Sequence, residues 1–211
     1  MHIGHELPTV YTMKDGNKMI QLESTSVEKD LGVWVTKDLK PSEQCIQSAR
    51  KAQAVLGMVK RQFKEIDRED FGIVYNTYVR PHLEYCVQAW SPHLQKDKAC
   101  LERVQRRATR MVKGLKKFTY ETRLKRLGIY SLERRRLRGD LIETFKILTG
   151  REHIDSSNFF ELSETTSGLR GHSLRLYKQR CCTTVRQCFL QFESDQFLEQ
   201  TTSICRRSNI S

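Results

Sequence analysis

The chain has 211 residues, 38% hydrophobic and 29% charged, with 37 lysines and arginines against 25 acids and a formal net charge of +12. That is room for one large domain or two small ones, and it is too apolar for wholesale disorder. No apolar run approaches the roughly 20 residues of a membrane span. The first 25 residues lack the apolar core of a signal peptide, so the expected setting is intracellular, in nucleus or cytoplasm, with no membrane partner.

The positive excess is concentrated. Residues 96–138 hold sixteen lysines and arginines and four acids, and the rest of the chain is balanced. A clustered excess of this kind points to a polyanion-binding surface, with RNA, DNA or an RNA–DNA hybrid as the partner. A solvated helical face is the plain alternative. The seven cysteines (Cys45, Cys86, Cys100, Cys181, Cys182, Cys188 and Cys205) include no C-x-x-C pair, and their odd number argues against a disulfide framework. His172, Cys181, Cys182 and Cys188 match no common zinc spacing. No metal and no cofactor are expected.

In chain order, residues 1–36 read as strands. His2–His5 is a short run, and Thr9–Met13 alternates loosely. Lys14-Asp15-Gly16-Asn17 carries the Asp-Gly signal of a tight hairpin with Met19–Leu22 as the return strand. Leu31–Thr36, β-branched and apolar, reads as a buried strand. A two-stranded hairpin is marginal alone, so residues 1–36 are expected to be mobile or loosely docked through Trp34, while the helices from Ser42 to Gly150 hold together. From Pro41 the period becomes helical. Pro41 suits a first turn and Ser42 a cap, with Ile46, Ala49, Leu56, Val59 and Phe63 on one face of residues 42–63. Asp67 caps the next helix, with Phe71, Val74, Tyr75 and Tyr78 as its buried stripe, until Pro81 kinks or ends it. His82–Trp90 follows, closed by Ser91-Pro92.

Residues 95–113 are the most informative helix. At 100° per residue, Leu101, Val104, Ala108, Met111 and Val112 share one side, while Arg103, Arg106, Arg107, Arg110 and Lys113 share the other. A near-pure arginine face suits a helix lying along a phosphate backbone. A merely solvated face would interleave glutamate with lysine, and only Glu102 is nearby. Lys116 and Lys117 extend the candidate nucleic-acid-binding set. Thr119 caps a helix at 120–127 ended by Gly128, and Ser131 caps one at 132–149 ended by Gly150, with Leu137, Leu141, Phe145 and Leu148 as its apolar set. Beyond Gly150 the pattern decays. The domains read as 1–40, 41–130 and 131–211, with poor order after about residue 190.

No catalytic constellation stands out. There is no Gly-x-Ser-x-Gly elbow, P-loop, His-Glu-x-x-His helix or Asp-Asp pair. His2-Ile3-Gly4-His5 matches the phosphate-binding tetrapeptide of class I aminoacyl-tRNA synthetases. Pro8 and the β-like residues after it do not make the required helix, and no Lys-Met-Ser-Lys-Ser loop follows.

Several strings instead resemble the C-terminal part of a LINE-type non-LTR retrotransposon reverse transcriptase of the chicken-repeat/jockey lineage. They are Glu28-Lys29-Asp30-Leu31-Gly32-Val33; Asp38-Leu39-Lys40-Pro41-Ser42; and Val79-Arg80-Pro81-His82-Leu83-Glu84-Tyr85-Cys86, with Ala89-Trp90-Ser91-Pro92 behind it. Leu101-Glu102-Arg103-Val104-Gln105-Arg106-Arg107-Ala108-Thr109, Arg135–Ile142 and Arg170-Gly171-His172 follow in the family's order over roughly residues 1–189. The resemblance implies a mainly α fold: a thumb-like helical bundle behind a short β-hairpin remnant of the palm, with Leu31, Gly32 and Val33 as a primer-grip-like segment. It also implies that the family's catalytic aspartates lie upstream of Met1, so the expectation is a non-enzymatic, nucleic-acid-binding fragment with no catalytic residues of its own. After Phe189 the chain departs from the family's Trp-Asn and Leu-Pro pattern. Three alternatives stay open. One is a polymerase subunit whose palm comes from another chain. The others are a decayed relic and a protein-interaction module with no nucleic-acid role. The oligomeric state is not legible.

Overall fold

The computed structural model describes residue 1, residues 10–63, residues 65–162 and residues 176–177. These are mainly helical with two small antiparallel hairpins, and the chain divides into two compact units, Met1–Ile129 and Tyr130–Ser211. The His-Ile-Gly-His tetrapeptide, the cysteines from Cys181 onward, His172 and the stretch after residue 190 lie outside the described residues.

In the first unit, β1 (Thr12–Asp15) and β2 (Lys18–Gln21) form the expected hairpin, closed by Gly16-Asn17 with Gly16 at φ 57°. Leu31–Thr36, however, is not one strand. Leu31 (φ 44°) and Gly32 (φ 89°) both take positive φ and reverse the chain, so β3 (Val27–Asp30) pairs with β4 (Val33–Thr36). Positive φ at both central residues is what a type I′ two-residue turn demands, whereas the Gly16-Asn17 turn has it at the first position alone. The Tyr85 hydroxyl donates to the Leu31 carbonyl at 3.0 Å, and a Cβ at Gly32 would meet the Tyr85 ring at 3.4 Å. Leu31 is therefore pushed outward and is 87% exposed, while Val33 is buried. This hairpin is anchored by more than Trp34's ring: β4 packs on α1, and the Trp34 amide donates to Gln44 Oε1 at 2.9 Å. The β1–β2 hairpin is exposed throughout.

Helix α1 (Ser42–Gln62) buries Cys45, Ala49, Ala52, Leu56 and Val59 along one stripe. Ser42 does not cap it. Pro41 occupies the N-cap position, no side chain caps the turn, and the Ser42 hydroxyl instead donates to Asp97 Oδ2 at 2.7 Å. Ile46 and Phe63 are exposed, contrary to the periodic reading. Ile46 sits about 100° round from Cys45, and Phe63 lies past the helix on extended backbone.

Asp67 caps α2 (Arg68–Val74) as expected, accepting from the Asp70 amide at 2.9 Å. The helix then widens into a π turn at Tyr75–Val79, closed by the Arg80 N–H on the Tyr75 carbonyl, before α3 (Arg80–Glu84). Pro81 has no N–H for the preceding turn and its ring crowds the carbonyl four residues back, which the wider turn relieves. The extra residue also shifts the phase. Phe71, Tyr75, Val79 and Leu83 are buried and Tyr78 is exposed, which corrects the expected stripe. Cys86, at φ 52°, separates α3 from α4 (Val87–Trp90).

Helix α5 runs from Gln95 to Thr109, four residues shorter than its hydrophobic pattern. Residues 110–118 fold as successive turns instead, because Lys113 N–H bonds to the Ile66 carbonyl at 2.9 Å and Val112 bridges to Ile66. Val112 and Leu115 are buried by those turns, and Met111 is only half-buried. Thr119 caps α6 (Tyr120–Leu127), which Gly128 ends at φ 65°. In this unit α1 packs against α5 more than against any other element.

In the second unit, Ser131 caps α7 (Leu132–Leu148), accepting from the Arg134 amide at 3.3 Å. Its buried line is Leu132, Arg136, Asp140, Thr144 and Ile147, and Phe145 is exposed. This line has the same period as the expected Leu137, Leu141, Phe145 and Leu148 but is offset by one residue, about 100°. Leu162 pairs with Leu176 in an isolated antiparallel bridge.

The Ser42–Asp97 bond joins the first turns of α1 and α5, and Asp97 is buried. Ser42→Ala is expected to lower unfolding free energy by about 1.5–3 kcal/mol, the worth of a hydrogen bond to a charged group. Urea denaturation of the full chain reads this, and a change under 0.5 kcal/mol (roughly the scatter of surface substitutions) would mean water replaces the hydroxyl without loss.

Candidate nucleic-acid interface

Helix α5 carries the charge argument. Leu101, Val104 and Ala108 are fully buried, with Gln105 and Thr109 beside them. Arg103, Arg106, Arg107 and Arg110 are all exposed and fall within an arc of about 100° on the opposite side. Lys96, seven residues before Arg103 and also exposed, lies on the same arc. Lys96 belongs to the basic segment but not to the row expected from 103–113, and its two-turn spacing from Arg103 is the signal in the sequence that places it there. At about 1.5 Å per residue the row from Lys96 to Arg110 is about 21 Å long.

No carboxylate interrupts this row. Asp97 points inward to the Ser42 hydroxyl, and Glu102 accepts from the Tyr120 hydroxyl. The other predicted residues fall elsewhere. Lys113 is not on α5; its Nζ lies 2.6 Å from Glu65 Oε2, an ion pair that raises the ammonium's pKa. Lys116 and Lys117 are exposed on the turns leading to α6 rather than in line with the helix. Leu31, Gly32 and Val33 form the tip and first strand residue of the second hairpin, with only Val33 buried.

Aromatic side chains flank the cations, a feature the charge pattern did not reveal. The Tyr120 ring lies between two guanidiniums, with Arg106 Cζ 4.8 Å and Arg123 Cζ 5.7 Å from its centroid. Its hydroxyl donates to Glu102 and accepts from Gln105 Nε2 at 3.0 Å, while Gln105 Oε1 accepts from the Tyr75 hydroxyl at 2.6 Å. Burial, and then the Glu102 carboxylate, push the Tyr120 phenol far above its ordinary pKa. Arg123, counted among the charges of the basic segment, is used internally and is 3% exposed. Its Nε donates to Thr109 Oγ1 at 3.1 Å and its Nη1 to the Phe118 carbonyl at 3.0 Å. Burial, with Arg110's charge, lowers its pKa. Arg126 lies over the Phe118 ring, 3.7 Å from its centroid.

An exposed row of guanidiniums with one ammonium has the chemistry to donate to an anion such as a phosphate oxygen. Among the described residues no group of three or more His, Cys, Asp or Glu side chains could hold a metal ion. None of the helices among them is long and apolar enough to cross a membrane. Of the described cysteines, Cys45 is buried, Cys100 is half-buried and Cys86 is exposed, and no disulfide joins them to one another.

The Tyr120 shift has a pH consequence. With its folded pKa raised, the neutral phenol's contribution is fully present below the unfolded value near 10 and is lost as pH rises above it. Between pH 9 and 11 the wild type should lose stability more steeply than Tyr120→Phe, measured by urea midpoints at each pH. Parallel curves for the two proteins would show that the hydroxyl ionises as freely folded as unfolded.

No protein-family model, curated protein or solved structure matches the chain.

Proposed function

We propose that the chain binds nucleic acid as a piece of a LINE-type reverse transcriptase, gripping the backbone of RNA, DNA or their hybrid through α5. The observation that carries this reading is the carboxylate-free row of Lys96, Arg103, Arg106, Arg107 and Arg110, set back to back with a fully buried apolar face. A core-anchored row of this kind can keep its register along a phosphate backbone. In this reading residues 41–130 are the thumb-like region that clamps the duplex. The second hairpin is the primer-grip-like remnant, presenting Leu31 and the Gly32 backbone at its tip. The strings Val79–Cys86 and Leu101–Thr109, which carry the family resemblance, fall on the π turn with α3 and on α5.

The test removes charge without disturbing Tyr120, so Arg106 is left in place. If the four arginines of the row each meet one phosphate, log K against log salt for a duplex has a slope of about −3.6. Arg103→Gln, Arg107→Gln and Arg110→Gln together should flatten it by about 2.7, with little dependence on base sequence. Glutamine avoids placing acids at the helix C-terminus, where the dipole disfavours them. Fluorescence anisotropy with a labelled RNA–DNA hybrid measures both slopes, and an unchanged slope sinks the reading.

The same proposal makes this a binder and not a polymerase. Primer extension on a poly-rA template with a dT primer, in Mg²⁺ or Mn²⁺, is expected to stay at the level of a heat-killed control. Incorporation above that level would contradict it.

A further inference from the structure

We infer that Phe118 and Arg126 form a stacking platform for one unpaired nucleobase beside the phosphate-binding row, a site that rests on the proposed nucleic-acid reading and adds a single-stranded element to its ligand. The Arg126 guanidinium carbon is 3.7 Å from the Phe118 centroid, whereas the other cation–aromatic pairs in this unit stand at 4.8 and 5.7 Å. At that distance the guanidinium carbon is in van der Waals contact with the ring. Arg126 is exposed, and among the described residues it makes no ion pair with a carboxylate. A guanidinium is planar, weakly hydrated and always charged, so its outer face is a π surface on which a base can stack.

The support beneath is fixed. The Phe118 amide donates to the Leu115 carbonyl at 3.1 Å, and Leu115 is buried. The Phe118 carbonyl accepts from the buried Arg123 at 3.0 Å. Lys116 and Lys117 precede Phe118, and Lys125 precedes Arg126; all three are exposed and available for the phosphates on either side of a splayed base. Glu121 is the single acid between residues 103 and 132. Tyr120, two residues after Phe118, stacks on Arg106 of the α5 row, so one short segment joins the row to the platform. Basic side chains interleaved with aromatic rings are the arrangement by which single strands are held without sequence preference. An acidic peptide would gain from the charges but not from the stacked plane.

The experiment uses the full chain and three RNA–DNA hybrids of equal duplex length: blunt, with a three-nucleotide overhang, and with the same overhang made abasic. The two overhangs carry equal charge and differ only in bases. The natural overhang should bind about tenfold tighter than the abasic one, the effect of one stacked base. Arg126→Lys keeps the charge but loses the plane. It should bring the ratio to about 1 and leave the salt slope alone, and Phe118→Leu should do the same. A 2-aminopurine in the overhang should be quenched by the wild type and not by Arg126→Lys. Equal wild-type affinity for the two overhangs overturns the platform and leaves the phosphate row standing. A ratio that survives in Arg126→Lys overturns the assignment to these residues. If none of the three hybrids binds, both readings fall together.

Discussion

Burial of one face of α5 dictates what the first unit can show to solvent. Leu101, Val104 and Ala108 are fully buried, and each large apolar side chain taken from water stabilises by about 1.5–3 kcal/mol. With 3.6 residues per turn, burying these three leaves Arg103, Arg106, Arg107 and Arg110 no direction but outward. The cationic row is thus a by-product of core packing, its backbone positions set by the buried face behind it. Helix α1, with the small Ala49 and Ala52 among its buried residues, packs on α5, and the Ser42–Asp97 hydrogen bond joins their first turns.

A polar chain holds the next layer. Tyr75, Gln105, Tyr120 and Glu102 are linked hydroxyl to amide to hydroxyl to carboxylate, which ties the π turn, α5 and α6 together. Buried polar groups are costly when unpaired and specify one arrangement when satisfied. Arg123 is the extreme case: a guanidinium taken out of water and compensated by Thr109 Oγ1 and the Phe118 carbonyl. Because Tyr120 also packs on Arg106, the same chain that completes the core steadies part of the charged surface. Folding and the candidate interface share residues, which is why a charge count alone misplaces some of the charge.

The second unit follows another rule. The buried line of α7 runs through Arg136, Asp140 and Thr144, with apolar residues only at its ends. Leu137, Leu141, Phe145 and Leu148 have the same spacing and the more apolar character, yet the packed side is the neighbouring one. Period alone cannot choose between two stripes about 100° apart; what packs against the helix does.

Features that depend on a few neighbouring residues were legible in the sequence. The caps at Asp67, Thr119 and Ser131, the Asp15-Gly16 hairpin and the stop at Gly128 all follow from side-chain hydrogen bonds or a positive φ within three or four residues. So did the division of α5 into apolar and cationic sides, because helical geometry acts on consecutive positions. Tertiary structure decided the rest through contacts distant in the chain. Tyr85 pins the Leu31-Gly32 turn across more than fifty residues, and Ile66 captures Lys113's amide and ends α5 early. Glu65 takes Lys113 out of the row, and Thr109 with Phe118 draws Arg123 inside. Sequence by itself determined that a basic, amphipathic helix would form. Only packing determined which of its charges face solvent and which aromatic rings stand beside them, since each of those outcomes depends on a partner that no local pattern encodes.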